Sequence, residues 1–356
     1  DELRNEELRR RKKAERCVET AARLIAPVLD EESWEAGFDW VVHHLQHEWP
    51  VVASELQMCK ALNYLKTRRF DRAVEELRSF SKREGKAKTR ASINLSFLYF
   101  LEGDLDQAST FADMAVRADR YNARALVNLG NTLCEKGELE RAKELYLESI
   151  GVEADCAEAI FNLGLVNVQL GSYQEALQAF EKLATLAPSS PEVLYHIANL
   201  HDLLGNTSLA ARHFSHLLSK VPTDPGALAR LAHVFHKAKD ETQAVHYHQE
   251  AYRHYPVDLD VISYLGVWYV RNELYEKAVG FFEQAAAVEP RVVKWRLMVA
   301  SCHRRIGDYA KALRLYEDIH HEFPQDAECL NYLVALCQEL GRPCGQYEEK
   351  LARLRR

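Results

Sequence analysis

The 356-residue sequence predicts an all-α fold, a right-handed superhelical solenoid of antiparallel helix pairs, on three observations. First, Ala108, Ala142, Ala176, Ala210, Ala244, Ala278 and Ala312 stand 34 residues apart at every step, with Ala73 a further 35 upstream. Second, Pro188, Pro222, Pro256, Pro290 and Pro324 keep the same period. Third, a small residue lies 12 positions before each alanine: Ala61, Ser96, Gly130, Gly164, Ala198, Ala232, Gly266 and Ala300. A fixed period of this length is the mark of one supersecondary unit stacked on copies of itself.

Within a period, apolar residues recur every three or four positions, as in "ALVNLGNTLCEKGELERAKELYLESI" from Ala125 to Ile150. That pattern gives two amphipathic helices, A and B, broken near Gly137. The proline ends helix B because it cannot continue the hydrogen-bond ladder. Small residues belong where A and B cross, where they let the axes approach to about 8 Å. Tyr146, Phe180, Phe214, Phe282 and Tyr316 follow four residues after the alanine.

On these residues the chain resembles the tetratricopeptide repeat (TPR): small at position 8, Ala at 20, aromatic at 24, Pro at 32. The resemblance runs from Ser54 to the C-terminus. Residues 54–326 divide into about eight repeats starting at Ser54, Thr89, Ala123, Ala157, Pro191, Pro225, Leu259 and Val293, and residues 327–356 form a partial repeat with a capping helix. Residues 1–53 read as a charged helix, "DELRNEELRRRKKAER", followed by a degenerate helical repeat around "ESWEAGFDWVVHHLQHEWP". The basic run Arg9–Lys13 reads as a solvated helix face with i,i+4 pairing. Each unit buries its apolar face only against its neighbours.

Apolar residues at 47% and charged residues at 28% describe an ordered, soluble chain. A net charge of −7 gives no overall basic field, so nucleic acid is not an expected partner. The longest apolar run, Val261–Val270, is too short for membrane insertion, and no secretory leader is recognisable. The absent initiator Met predicts a piece of a longer chain. Eight cysteines, at 17, 59, 134, 156, 302, 329, 337 and 344, form no C-x-x-C pair and read as apolar filler in a reduced compartment.

"HVFHKAKDETQAVHYHQEAYRHYP", His233–Pro256, holds five histidines and raises the question of a metal. The register assigns their directions. His248 takes position 24 and reads as a packed ring; His246 and His254 lie on helix B, His246 on its outer face. His233 and His236 face the inner surface with helix A. A metal needs three or four converging ligands about 2 Å away, and here two rings at most share a surface. Nucleotide, zinc-protease, nucleophile-elbow and calcium motifs are absent too, so neither cofactor, metal nor catalysis is expected.

What remains is the inner wall, positions 2, 5, 9, 12 and 13 of each helix A. In the middle repeats it carries Ile93, Phe97, Phe100, Leu101, Phe161, Leu165 and Val168; further on it carries Lys237, Arg271, Lys294, Arg304 and Arg305. Apolar side chains on a face that should be wet mark a binding surface. The expected partner is apolar against the middle repeats and acidic toward the C-terminal end. A chaperone-type carboxylate clamp, the alternative use of such a groove, has Asn131 and Asn162 but places Val127, Glu192 and His196 where cations belong. An adaptor of that kind is the runner-up.

Segments that the repeat does not require, "NLSFLYFLEGDLDQAS", "ADRYNARALVNLGNT", "VPTDPGAL", "VKWRLMVASCHRRIGDYAKAL" and "EFPQDAECLNYLV", together resemble the intraflagellar transport protein 88 family, also called polaris. That resemblance implies a non-enzymatic scaffold of the intraflagellar transport B complex, acting in cytoplasm, cilium or flagellum and basal body. It further implies intraflagellar transport protein 52 as a direct partner, with proteins 46, 70, 57 and 38 and ciliary cargo nearby.

Overall fold

A computed structural model describes residues 2–30, 33–80 and 85–354. Among them only helices and connecting turns occur, with no strand. Two compact units divide the chain, Asp1–Leu186 and Ala187–Arg356.

The first unit opens with α1 (Glu2–Ile25), a short 3₁₀ turn (Ala26–Val28) and α2 (Trp34–Leu45). Helix pairs follow: α3 (Pro50–Lys66) with α4 (Phe70–Ser79), α5 (Lys86–Glu102) with α6 (Leu105–Ala118), α7 (Ala123–Glu135) with α8 (Leu139–Val152), and α9 (Ala157–Gln169) with α10 (Tyr173–Leu186). In the second unit the pairs are α11 (Pro191–Leu203) with α12 (Thr207–Lys220), α13 (Pro225–Lys237) with α14 (Glu241–His254), and α15 (Leu259–Arg271) with α16 (Tyr275–Val288). Then come α17 (Val293–Ile306) with α18 (Tyr309–Glu322) and α19 (Ala327–Glu339) with α20 (Gly345–Leu354).

The register follows from local chemistry. The last residue of a repeat is often the N-cap of the next helix A. Asn122, Asp224 and Asp326 each accept a backbone N–H three residues on, at 3.2, 2.7 and 2.7 Å, which satisfies a donor the helix leaves open. Position 15, between A and B, always adopts the left-handed conformation. Glycine supplies it at 103, 137, 171, 205, 307 and 341, but Arg68, Lys239 and Glu273 hold φ of 59°, 62° and 60° there.

Helices A and B meet through positions 8 and 24. A Cβ built on Gly130, Gly164 or Gly266 would stand 2.6 Å from the ring of Tyr146, Phe180 or Phe282. The small residue is therefore the seat of the aromatic ring, and the rings themselves are at most 1% exposed. The alanines at position 20, such as Ala108, Ala142 and Ala278, are fully buried.

Helix α1 is exposed along most of its length, with Ala22 its buried residue. The run Arg9–Lys13 lies wholly in solvent, and Arg10 pairs with Glu6 at 2.8 Å. Its end is tied down by Glu55 of α3, which bonds Arg90 of α5 and lies 3.9 Å from Arg23.

Candidate partner-binding surface

On helix A, side chains three and four positions apart share a face, so the predicted inner positions form a lane along each unit. In the first unit the lane is apolar but unevenly exposed. Phe97 is 46% and Leu101 65% exposed. Ile93, Phe161, Leu165 and Val168 are half-buried. Phe100 is half-buried as well, and packs against the core of α3 to α6. Phe161 meets Phe180 edge-on at 5.6 Å.

Polar side chains cross this lane from one helix A to the next. Asn162 donates to Asn131 Oδ1 at 2.8 Å, and Tyr146 donates to the same oxygen at 2.7 Å. The two asparagines of the would-be carboxylate clamp are thus bound to each other, and Val127 is buried. Asn128 donates to the Ile93 carbonyl at 2.9 Å.

In the second unit the predicted cations separate into two sets. Lys237 Nζ lies 2.8 and 3.0 Å from the carboxylate oxygens of Asp202, whose side chain is 2% exposed. Arg230 approaches the same carboxylate at 3.6 Å and also bonds Asn199. Arg304 grips Glu339 with two nitrogens, Nε at 3.1 Å. Arg305 is exposed and donates to Tyr275 Oη at 3.3 Å. Lys294 is exposed and sits over the Trp295 ring at 5.2 Å. Arg271 is exposed and forms no ion pair among the described residues.

Residues that register alone did not single out are Asp202, Arg230 and Glu339. A signal existed: Asp202 and Lys237, like Arg304 and Glu339, are opposite charges 35 residues apart, position 12 of one repeat and 13 of the next.

The histidines do not converge. His248 is buried and stacks on Tyr264 at 3.9 Å, and Tyr264 Oη lies 3.4 Å from His236 Nδ1. His233, His236, His246 and His254 are exposed. Burial, then the charges of His233 and His236, pushes the His248 ring down to about 4. Among the described residues no three His, Cys, Asp or Glu side chains gather as metal ligands, and no helix is long and apolar enough to cross a membrane. The cysteines are free thiols; burial pushes Cys302 up to about 11 and Cys329 up to about 12, so both stay protonated.

The chain is similar to the human intraflagellar transport protein 88 homolog, with 56% identity over 355 residues. That alignment takes in 99% of this chain and 43% of the human protein, so the chain spans less than half the length of this relative. Among solved structures, a tetratricopeptide repeat protein from Parabacteroides merdae aligns over 70% of this chain and 98% of its own, at 20% identity and a TM-score of 0.51. Pseudomonas aeruginosa PilF aligns over 59% and 96%, at 22% identity and a TM-score of 0.52. Both likenesses concern the fold. The tetratricopeptide repeat profile matches residues 60–123, 127–191 and 265–327, and a second profile of the same description matches 168–232. With more than half of its residues inside these matches, and with the ring-on-glycine crossing repeated through both units, the chain belongs to the tetratricopeptide repeat family.

Proposed function

We propose that the chain is a non-catalytic protein–protein interaction scaffold of the intraflagellar transport B complex, supporting assembly of cilia and flagella. The observation that carries this reading is the 56% identity with the human intraflagellar transport protein 88 homolog across 355 residues. Repeat stacks work by offering an extended surface rather than a cleft, which agrees with an inner lane that is apolar in one unit and cationic in the other.

In this reading intraflagellar transport protein 52 binds directly, proteins 46, 70, 57 and 38 and ciliary cargo associate with the same assembly, and the chain works in cytoplasm, cilium and basal body. The apolar lane (Ile93, Phe97, Phe100, Phe161, Leu165, Val168) takes apolar side chains of a partner. Of the basic lane (Lys237, Arg271, Lys294, Arg304, Arg305), the cations not paired within the chain among the described residues, Arg271, Lys294 and Arg305, take its acidic part. The test is a pull-down of the 356-residue chain on an immobilised segment of recombinant intraflagellar transport protein 52. Retention at micromolar concentration is expected, and its loss in Phe97→Asp locates the apolar lane. No retention of the parent chain overturns the partner assignment.

A further inference from the structure

The basic lane has a finer order than its residue list. In the second unit, position 12 of one helix A is linked to position 13 of the next by a rung. The first rung is Asp202–Lys237 and the last is Arg304–Glu339, and each joins a cation to a carboxylate inside the chain. The same register makes the two intervening rungs His236–Arg271 and Val270–Arg305. Both keep the cation and lack the carboxylate.

Each open rung also keeps a tyrosine hydroxyl: Tyr275 Oη beside Arg305, and Tyr264 Oη 3.4 Å from His236 Nδ1. Arg305 donates to Tyr275 Oη at 3.3 Å, which leaves most of its five N–H donors unused. Nearby acids do not take the cations. Neither Glu241 nor Glu273 forms an ion pair with Arg271 or Arg305 among the described residues. Asp260 lies at position 2, the far end of α15.

We propose that an acidic segment of a protein partner closes these two rungs, one carboxylate on Arg271 and a second on Arg305. This rests on reading the chain as a partner-binding scaffold, and it narrows the partner's chemistry. Helices packed in successive repeats are about 8–10 Å apart, and an extended chain rises about 3.3 Å per residue. Side chains of an extended segment alternate faces, so two acidic residues two positions apart, about 7 Å, present both carboxylates to one side, and the long arginine and glutamate side chains span the remainder. The closed rungs at either end limit the site to two carboxylates, because Lys237 and Arg304 already hold theirs. A guanidinium beside a phenol offers several donors to one carboxylate, the geometry that strengthens charged hydrogen bonds.

The probes are short fluorescein-labelled peptides of Gly, Ser and Ala carrying two glutamates, either two positions apart, adjacent, or six apart, with a diglutamine control. Binding to the 356-residue chain is read by fluorescence anisotropy at low salt. The two-apart peptide is expected to bind about fivefold or more tightly than the other spacings, and Arg271→Ala or Arg305→Ala to weaken it about fivefold each, the loss of one exposed charge pair. Arg314→Ala, exposed on α18 and outside the basic lane, is expected to change it less than about twofold. Equal binding of all spacings, insensitivity to both Arg271→Ala and Arg305→Ala, or no binding at millimolar peptide overturns the two-rung site. The pull-down on intraflagellar transport protein 52 decides the scaffold reading separately, since retention there with failure here removes only the rungs. Circular dichroism melts of the variants establish that any loss is not unfolding; Arg271 and Arg305 are exposed, and unchanged melts are expected.

Discussion

Lys237 of α13 closes on Asp202 of α11, with Nζ 2.8 and 3.0 Å from the two carboxylate oxygens. The asymmetry of the pair matters: the Asp202 side chain is 2% exposed and the Lys237 side chain 43%. Removing the lysine strands a buried carboxylate, which costs far more than an exposed pair contributes. Arg230 at 3.6 Å takes up part of the loss. Lys237→Met is expected to cost about 1–3 kcal/mol, read as a lower urea midpoint. Asp202→Asn combined with Lys237→Met should cost less than the sum of the two single changes. Additive costs would mean that the two side chains do not depend on each other.

Gly266 and Gly280 lie in the same repeat, on α15 and α16. A Cβ at Gly266 meets the Phe282 ring at 2.6 Å, whereas one at Gly280 meets nothing within 4 Å. Gly266→Leu should force the crossing of α15 and α16 open and cost about 1–3 kcal/mol by overpacking. Gly280→Ala, in the interior of α16, should raise stability by about 0.5–1 kcal/mol. Thermal melts that move in the same direction for both variants would contradict the crossing.

Arg68, Lys239 and Glu273 hold the turn between helices in a conformation that L side chains rarely adopt. Substituting glycine relieves that strain, about 1 kcal/mol, while the freer unfolded chain takes some back. Lys239→Gly and Glu273→Gly are each expected to raise the melting temperature, with a gain of about 0.5 kcal/mol. In the opposite sense, Gly205→Ala at φ 79° should lower it.

His248 sits where the other repeats of the second unit place Phe214, Phe282 and Tyr316, and its Nδ1 is buried without a hydrogen-bond partner. Its folded pKa, about 4, lies below the ordinary 6.5, so the unfolded chain binds this proton more readily. Stability is therefore complete above pH 6.5, falls as pH drops from 6.5 toward 4, and levels off below that. The loss is at most about 3 kcal/mol. Burial lowers His196, His303 and His320 as well, which adds to the same trend. His248→Phe should flatten the difference between melts at pH 7 and pH 5 without abolishing it. An unchanged pH dependence would exclude His248 as a contributor.

Much of this molecule is legible from one repeat at a time. The seat of Phe282 on Gly266 spans 16 residues, and the N-cap of Asp224 spans three, so period and residue type place them directly. Position 15 was partly hidden, because charged residues fill it in three repeats and only the backbone reveals the shared φ. Of the residues assigned to the inner lane, Phe97, Arg271 and Arg305 are exposed. What register could not tell was which cations were already answered.

The 34-residue comb, by itself, determined paired helices and their crossing residues, because those contacts lie within one covalent unit. Only the tertiary structure decided that Lys237 and Arg304 are neutralised while Arg271 forms no ion pair among the described residues. That outcome depends on side chains some 35 residues apart meeting across stacked helices. A charge's position in the sequence fixes its direction, whereas its neighbour fixes whether it is spent.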